Sequence, residues 1–380
     1  MKICLIGGIY AKGGARSEYV KTTPETTLES GFRAAGHDVT TLSHYDETDF
    51  GQFDVVHVHH LSYGAARLAS DPSPTPFVFT AHDASLMNGS LISRTRQIAM
   101  RYVMSRADGV VSLSEIESRF QRGTYALTDA VQATIANGVS SELFPFTQHN
   151  SAQSSDAFRL LFVGQLIPLK RCDVLFEALA LLPSFVELEL VYQTASLEPE
   201  LRALAESLGI VSRVNFLGKK TPPELASLYQ TRDCLVLPSE TEALPSVITE
   251  AMFSGLPFVA TTAGGIPEQA GGFGVLVKPG SVESLAAGLR EVISNRLKFA
   301  EASRAMSDYA RSKFSIMSMV QEHLEMYQVV AGRKPRRHSW NPLRIDSLIR
   351  IAVRMIGTGG AKGESAVGTA NKQQIAGERL

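Results

Sequence analysis

The sequence predicts an α/β protein made of two Rossmann-like halves, each with a parallel β-sheet, that face a central cleft. Short apolar runs alternate with helical patterns along most of the chain, which is typical of βαβ units. A polar stretch at residues 147–156 interrupts the alternation, as an interdomain linker does, and the rhythm then resumes. Ligands of such sheets bind at the carboxyl ends of the strands, so we expect the functional residues in the cleft.

The predicted strands fall into two groups on either side of the polar stretch. The first group is Ile3–Ile6, Asp38–Leu42, Val55–Val58, Phe77–Thr80, Gly109–Ser112 and Val131–Ile135. The second group is Leu160–Val163, Leu188–Tyr192, Val214–Leu217, Cys234–Leu237 and Phe258–Ala260. We therefore predict a first domain at residues 1–150 and a second at residues 151–315.

The composition excludes several classes of protein. A chain of 380 residues with 44% hydrophobic residues is neither a small disulfide scaffold nor a disordered chain. Its 37 Lys and Arg against 38 Asp and Glu give a net charge of −1, without the basic excess of proteins that bind nucleic acid. Cys4, Cys172 and Cys234 lie far apart in apolar runs, which indicates buried thiols in a reducing compartment. The chain begins without a signal-peptide core and has no apolar run of ~20 residues, so we expect a cytoplasmic location.

A glycine-rich loop follows the first predicted strand. Its glycines come as two pairs, Gly7–Gly8 and Gly13–Gly14, which differs from the spacing of the dinucleotide-binding fingerprint. Glycine lacks the Cβ that would keep backbone N–H groups away from a phosphate. The loop therefore suits either a phosphate contact or a plain turn between strand and helix.

Residues 235–268 are the most informative stretch, because they place two carboxylates eight residues apart after a buried strand. Glu242 lies in the loop, and Glu250 lies about a turn into a helix that begins near residue 245. Carboxylates accept hydrogen bonds from sugar and ribose hydroxyls. An acidic surface loop before an ordinary helix is the alternative. The backbone amides at the helix start are expected to face a diphosphate, over the positions Leu244, Pro245, Ser246 and Val247.

Histidines cluster at the ends of two predicted strands. His57 and His59 alternate with valine, His60 follows them, and no carboxylate nearby in the sequence completes a site, so we do not expect a metal here. His82 follows the next predicted strand. It is either a strand-end histidine held by Asp83 or a functional group.

In their order along the chain, these stretches resemble the retaining GT-B glycosyltransferases of family four, the glycosyl transferases group 1. Glu242 and Glu250 resemble the family signature of two glutamates separated by seven residues, and the Ala-Gly-Gly-Ile-Pro-Glu stretch at residues 263–268 resembles the loop that follows it. Further similar pieces, over roughly residues 1–330, are the glycine-rich loop, Asp54–His59, Thr80–Asp83, Asn137–Val139, residues 163–170 and residues 274–280.

The resemblance implies transfer of a sugar from a nucleotide diphosphate-sugar, with retention and without a metal or a further cofactor. Glu250 is expected to bind the ribose hydroxyls, Glu242 the donor sugar, and Lys170 the donor diphosphate, whose departure its charge stabilises. His82 is expected to face the donor sugar. The other expected donor-binding positions are Gly13, Gly14, Gly164, Gln165, Arg171, Leu244, Pro245, Ser246 and Val247.

Three positions depart from the family pattern. Gln165 replaces the usual Arg, so phosphate binding is expected to rely more on Lys170 and Arg171. Ala243 replaces a glycine and limits the loop to conformations that a Cβ permits. Ser140 stands where Asp is common.

The chain ends in a basic segment. A helix at residues 316–330 is expected to return to the first domain, as in folds of this type. Residues 331–356 then carry six Arg and one Lys against one Asp, a local charge of +6 that leaves −7 for the remainder. Arginine and apolar positions separate onto two helix faces, which fits an interfacial helix on an anionic membrane or a basic helix docked on the protein. Residues 357–380 are expected to be disordered.

We therefore expect a metal-independent retaining glycosyltransferase of the hexosyltransferase type, which acts on a glycan or lipid-linked acceptor in polysaccharide or cell-envelope glycan biosynthesis. One alternative is a sugar-nucleotide-binding partner subunit with weak or no catalysis, for which Gln165 and Ala243 are the hints. A GT-B nucleotide-sugar epimerase is the other, and the spacing of Glu242 and Glu250 disfavours it.

Overall fold

The computed structural model describes residues 1–10, 23–44, 46, 48–71, 73–82, 93–125, 127, 129–148, 157–193 and 195–333. Gly13, Gly14, Asp83 and the basic and terminal segments beyond residue 333 lie outside these residues, and so do the predictions made for them.

The first half is built on a six-stranded parallel sheet with the order β2-β1-β3-β4-β5-β6. Its strands are β1 (Lys2–Ile6), β2 (Asp38–Leu42), β3 (Val55–His59), β4 (Phe77–Thr80), β5 (Gly109–Ser112) and β6 (Val131–Thr134). The helices of this half are α1 (Pro24–Ala34), α2 (Tyr63–Ala69), α3 (Arg94–Arg106) and α4 (Glu115–Thr124).

The second half is built on another six-stranded parallel sheet, with the order β12-β11-β10-β7-β8-β9. Its strands are β7 (Phe158–Val163), β8 (Val186–Val191), β9 (Val214–Gly218), β10 (Cys234–Leu237), β11 (Phe258–Thr261) and β12 (Val275–Val277). The helices that follow β7 are α5 (Cys172–Ala180), α6 (Glu198–Ser207), α7 (Pro222–Thr231), α8 (Ser246–Ser254), α9 (Ile266–Ala270), α10 (Val282–Ser294), α11 (Arg296–Lys313) and α12 (Ile316–Ala331).

These two sheets confirm the predicted α/β fold class, and every predicted strand is present with bounds that differ by at most two residues at each end. The sequence pattern did not predict β12. This strand has three residues and follows Gly274, so it is shorter than the apolar runs that mark a strand. It pairs with β11 at the edge of the second sheet.

Each sheet has a point at which the strand order reverses. In the first sheet this point lies between β1 and β3, and in the second it lies between β7 and β10. Loops that leave adjacent strands there run to opposite faces and open a crevice at the carboxyl ends. The loops that follow β3, β7 and β10 carry His60, Lys170 and Glu242 respectively, so the topology places all three at such crevices.

The last helix, α12, packs against the first half rather than the second. Val320 and Tyr327 of α12 join the buried cluster that contains Phe32 of α1. The two helices approach so closely at Gly31 that a Cβ there would lie 2.3 Å from Val320 Cγ2. Glycine at this position therefore allows α12 to cross onto α1.

The three cysteines are buried and form no disulfide. Burial raises the pKa of Cys4 and of Cys172 to about 12, because the charged thiolate would lose its hydration. The prediction of buried thiols is therefore confirmed.

Candidate functional site

Lys170 and Glu242 form an ion pair at the reversal point of the second sheet. Lys170 ends a short turn after β7, and Glu242 lies in the loop after β10. The Lys170 Nζ lies 2.5 Å from Glu242 Oε1, and the two side chains are 21% and 10% exposed. A cation and a carboxylate thus sit side by side where a diphosphate and a hydroxyl-bearing group can reach both.

Glu250 lies on α8, about one helix turn after the first residue of that helix. Its Oε2 accepts a hydrogen bond of 2.8 Å from the buried Tyr229 hydroxyl. Burial raises the pKa of Glu250 to about 7, against the opposing effect of the Tyr229 hydrogen bond. Glu250 and Ser246 line a cavity of about 290 Å³ between α8 and α1.

The larger cavity is a cleft of about 590 Å³ between the two halves. Glu242, Leu244 and Pro245 line it from the second half. The residues that line it from the first half are Gly8, Ile9, Thr23, Pro24, Glu25, His44, His60, His82, Leu113 and Asn137. The structure therefore brings the predicted residues His82 and Glu242 to one cavity.

The start of α8 differs in one respect from the prediction. The helix begins at Ser246, with Pro245 at its N-cap. The sequence interpretation counted Pro245 among the amide donors, and this was wrong, because proline has no backbone N–H. Donors remain at Leu244, Ser246 and Val247, and no acceptor for them is found among the described residues.

The histidines at the cleft are held by one another and by a carboxylate. His59 Nδ1 lies 2.9 Å from His82 Nε2, and His60 Nε2 lies 2.9 Å from Glu25 Oε1. The sequence interpretation found no carboxylate near these histidines, and Glu25 corrects it. Within the described residues, no group of three or more His, Cys, Asp or Glu side chains is arranged to hold a metal ion.

Two of these histidines have unusual backbone conformations. His60 has φ 64° and His82 has φ 50°, the left-handed region that L-residues other than glycine rarely adopt. Such conformations cost of order 1–2 kcal/mol each and cluster at functional sites. Their occurrence directly after β3 and β4 favours a role in the cleft over a role in packing.

Burial keeps two histidines of the cleft neutral. It lowers the pKa of His82 to about 3 and that of His44 to about 4, and the charge of His60 acts in the same direction on both. At neutral pH these rings are therefore hydrogen-bonding groups rather than cations.

Three other predicted donor-binding residues lie apart from the described lining of the cleft. Gln165 is exposed after β7, and Gly164 donates its N–H to Val191 O at 3.0 Å. Arg171 has φ 47°, and its guanidinium pairs with Asp173 at 2.9 Å and Glu240 at 3.3 Å. It lines a separate cavity of about 480 Å³.

The loop at residues 263–268 connects the second-half wall of the cleft to the first half. Gly265 N donates to Ala243 O at 3.0 Å, and a Cβ on Gly265 would lie 2.3 Å from that oxygen and 2.8 Å from Ser114 Cβ. Glu268 Oε2 accepts a hydrogen bond of 2.8 Å from Glu115 N, at the start of α4. Ala243 itself has no positive φ, so its Cβ does not strain the loop.

The site contains residues that the sequence interpretation missed, chiefly Glu25 and His44, and Asn137 of the Asn137–Val139 stretch lines it as well. Glu25 is distant from the histidines in sequence, and no short motif joins them. A usable signal was present in Thr23–Pro24, since a threonine cap followed by proline marks a helix start and so places Glu25 at its first turn.

Comparison with known proteins agrees with this geometry. Residues 145–313 match the family model described as "Glycosyl transferases group 1", and residues 42–143 match "Glycosyltransferase Family 4". A D-inositol 3-phosphate glycosyltransferase of Actinosynnema mirum is 33% identical over 264 residues, which cover 63% of this chain and 62% of that protein. The one from Mycolicibacterium smegmatis is 29% identical, over 76% of this chain and 70% of its own length. The matched part of the chain thus spans 62% and 70% of the length of these two relatives.

Solved structures share the fold. Sucrose-phosphate synthase from Thermosynechococcus elongatus superposes with a TM-score of 0.74 at 19% identity and covers 88% of this chain and 100% of its own. HepE of Anabaena in complex with UDP-glucose superposes with a TM-score of 0.67 at 21% identity, over 88% and 100% of the two chains. With two family models that match consecutive parts of the sequence and a GT-B arrangement of two facing parallel sheets, the chain belongs to the group 1 glycosyl transferases, the family-four glycosyltransferases.

Proposed function

We propose that this protein transfers a sugar from a nucleotide diphosphate-sugar to a glycan or lipid-linked acceptor, with retention of the anomeric configuration. The observation that carries the proposal is Glu242 on one wall of the interdomain cleft, paired with Lys170, and His82 on the other wall. Neighbours with this fold were solved with UDP and glucose or with UDP-glucose, which supports a nucleotide-sugar donor.

The proposed roles follow from charge and hydrogen-bonding capacity. Lys170 neutralises the diphosphate as the bond to the sugar breaks, so that a side chain supplies the charge a metal would otherwise supply. Glu242 accepts hydrogen bonds from the donor-sugar hydroxyls, and Glu250 accepts them from the ribose. Closure of the two halves then brings His82 against the donor sugar.

The test begins with the donor. Thermal-shift measurements with UDP, GDP, ADP and their sugars identify the base, because a ligand that binds the folded protein raises its melting temperature. Turnover is then compared for wild type, Lys170→Met and Glu242→Gln, with the exposed Lys313→Met as a matched control. Full turnover in the Lys170 or Glu242 variant contradicts the assigned roles.

Stereochemistry and metal use are measured on the same reaction. We expect the initial product to keep the donor's anomeric configuration, which the coupling constant in proton NMR reports. Turnover is expected to persist in excess EDTA. An inverted product refutes retention, and loss of activity that Mg²⁺ or Mn²⁺ restores refutes metal independence.

The exposed, uncharged Gln165 favours one other function, a partner subunit that binds sugar nucleotides with little catalysis. Nucleotide binding without hydrolysis or transfer supports that alternative. Interconversion of free nucleotide sugars without an acceptor supports an epimerase instead.

We further propose that the protein works at the cytoplasmic face of a membrane, in polysaccharide or cell-envelope glycan synthesis, through the basic segment at residues 333–356. None of the helices in the described part of the chain has the length and apolar character needed to cross a bilayer. The segment's charge supports attraction to anionic lipids. Flotation with anionic and neutral vesicles tests this, and equal recovery with both contradicts it.

A further inference from the structure

The wall of the cleft formed by the first half carries a carboxylate that the proposed function leaves without a role. Glu25 lies in the first turn of α1 and is only 6% exposed. It lines the same cavity of about 590 Å³ as Glu242, which belongs to the opposite wall. A buried carboxylate therefore faces the space in which an acceptor would meet the donor sugar.

Three contacts hold Glu25 in place. His60 Nε2 lies 2.9 Å from its Oε1, and Tyr10 donates its hydroxyl to the backbone oxygen of Glu25 at 3.1 Å. The side chain of Thr23 caps the helix by accepting from Thr26 N, so the first turn is fixed. His60 bonds to one oxygen of the Glu25 carboxylate, and Glu25 lines the cavity, where a ligand can reach it.

Glu25 brings a negative charge to this wall. Burial alone would raise the pKa of Glu25, but the hydrogen bond with His60 lowers this pKa below its ordinary value, so the side chain is a carboxylate. His44 and His82 are neutral, as described above. The part of the lining that the structure describes contains no Lys or Arg.

This arrangement is costly. A carboxylate taken out of water loses hydration, and its partner His60 has a left-handed backbone, φ 64°. Both residues line the cavity between the two halves. Costly features at the lining of a cavity point to ligand binding.

We propose that Glu25, held by His60, binds a hydroxyl group of the acceptor, and that the acceptor presents an uncharged, hydroxyl-rich group such as a sugar at this wall. The inference rests on the proposed function, which places the donor sugar at Glu242. A carboxylate accepts hydrogen bonds from hydroxyls, whereas a phosphate in the same place would meet a like charge. The acceptor would then differ at this wall from a sugar or polyol phosphate.

The test uses pairs of probes that differ by one phosphate: glucose and glucose 6-phosphate, mannose and mannose 6-phosphate, and myo-inositol and inositol 3-phosphate. Binding to the UDP-saturated full chain is measured by ligand-observed NMR, so that the result does not depend on turnover. We expect wild type to bind at least one neutral probe about tenfold more tightly than its phosphate. In Glu25→Gln the neutral probe binds about tenfold more weakly and the preference shrinks.

Glu29→Gln is the matched control, because Glu29 lies one turn further along α1 with the same 6% exposure and outside the cleft lining. It is expected to keep the wild-type preference. His60→Gln, which retains an N–H donor for Glu25, is expected to keep more of the preference than His60→Leu. Circular dichroism and melting temperature establish that each variant is folded, and the two His60 variants test the contact even where Glu25→Gln fails to fold.

The outcomes separate this inference from the function on which it rests. A wild type that prefers the phosphate members, that binds none of the neutral probes, or whose preference is unchanged in Glu25→Gln overturns the inference. Such a result beside normal nucleotide-sugar turnover leaves the proposed function standing. Absence of turnover with every nucleotide sugar counts against the function, whatever the probes show.

Discussion

Replacement of Glu250 by Gln is expected to stabilise the folded protein at alkaline pH while it weakens nucleotide binding. Gln has nearly the same shape and keeps an oxygen that can accept the hydrogen bond from the Tyr229 hydroxyl. It cannot ionise, so the variant removes the buried charge and little else. If the variant is more stable, the ionisable side chain of Glu250 lowers the stability of the folded protein, and a function in binding explains why the protein has it.

The sign and size of the difference in unfolding free energy between wild type and Glu250→Gln follow from the pKa of Glu250. Burial raises the pKa of Glu250 from 4.5 to about 7, so the folded state holds its proton over a range in which the unfolded chain has released it. The protonated Glu250 side chain makes its full contribution to stability at pH values below its pKa in the unfolded chain. This contribution is lost as the pH rises through its pKa in the folded protein. One pKa unit corresponds to about 1.4 kcal/mol, and the contact of Glu250 with solvent reduces the effect. We therefore expect the unfolding free energy of wild type at alkaline pH to fall by about 2 kcal/mol relative to that of Glu250→Gln.

The measurement is urea unfolding of both proteins, followed by circular dichroism at a series of pH values from about 5 to 8.5. The difference between their unfolding free energies is expected to grow with pH in favour of the variant and to level off above pH 7. UDP affinity is expected to fall about tenfold in the variant. In the control Glu189→Gln, which breaks the 2.7 Å ion pair with Arg232, stability is expected to fall. A difference independent of pH would refute the reasoning.

Three further substitutions test the rest of the site. Lys170→Met is expected to lower kcat about 100-fold in a folded protein, measured by donor turnover, because the diphosphate loses its cation. Gly265→Ala is expected to cost about 2 kcal/mol or more in urea unfolding, because its Cβ would lie 2.3 Å from Ala243 O; an unchanged midpoint would contradict this close approach. Arg171→Gly is expected to change stability by less than about 1 kcal/mol, since relief of the left-handed backbone offsets the loss of two ion pairs with half-exposed carboxylates. Its donor KM should change far less than in the Lys170 variant.

The sheets could be predicted because their strands are buried on both faces. Such strands read as continuous apolar runs, as in Ile3–Ile6 and Cys234–Leu237, and the turns between them are polar. The edge strand β12 lacks this signature, since only Val277 of its three residues is buried. The pattern of apolar residues in the sequence therefore locates central strands well, and it misses the short edge strand β12.

The two sides of the cleft differ in how far the sequence reveals them. Glu242 and Glu250 lie within one short stretch, so their spacing can be read directly. Glu25 and His60 lie 35 residues apart and meet only because α1 begins and β3 ends at the same edge of the first sheet. Side chains that converge from separate elements leave no local pattern, and the pairing of Arg171 with Glu240, 69 residues away, escaped prediction for the same reason.

The loop at residues 263–268 gives the two sides of the cleft a common support. Gly265 bonds to Ala243, the neighbour of Glu242, and Glu268 bonds to Glu115 at the start of a first-half helix. A rotation of the two halves that breaks the hydrogen bond between Glu268 and Glu115 therefore also displaces the loop that carries Glu242. The separation of Glu242 from Glu25 across the cleft then depends on the same contact, because each is fixed within its own half. If Glu242 and Glu25 have the roles proposed above, one interdomain loop sets the positions of the donor sugar and the acceptor together.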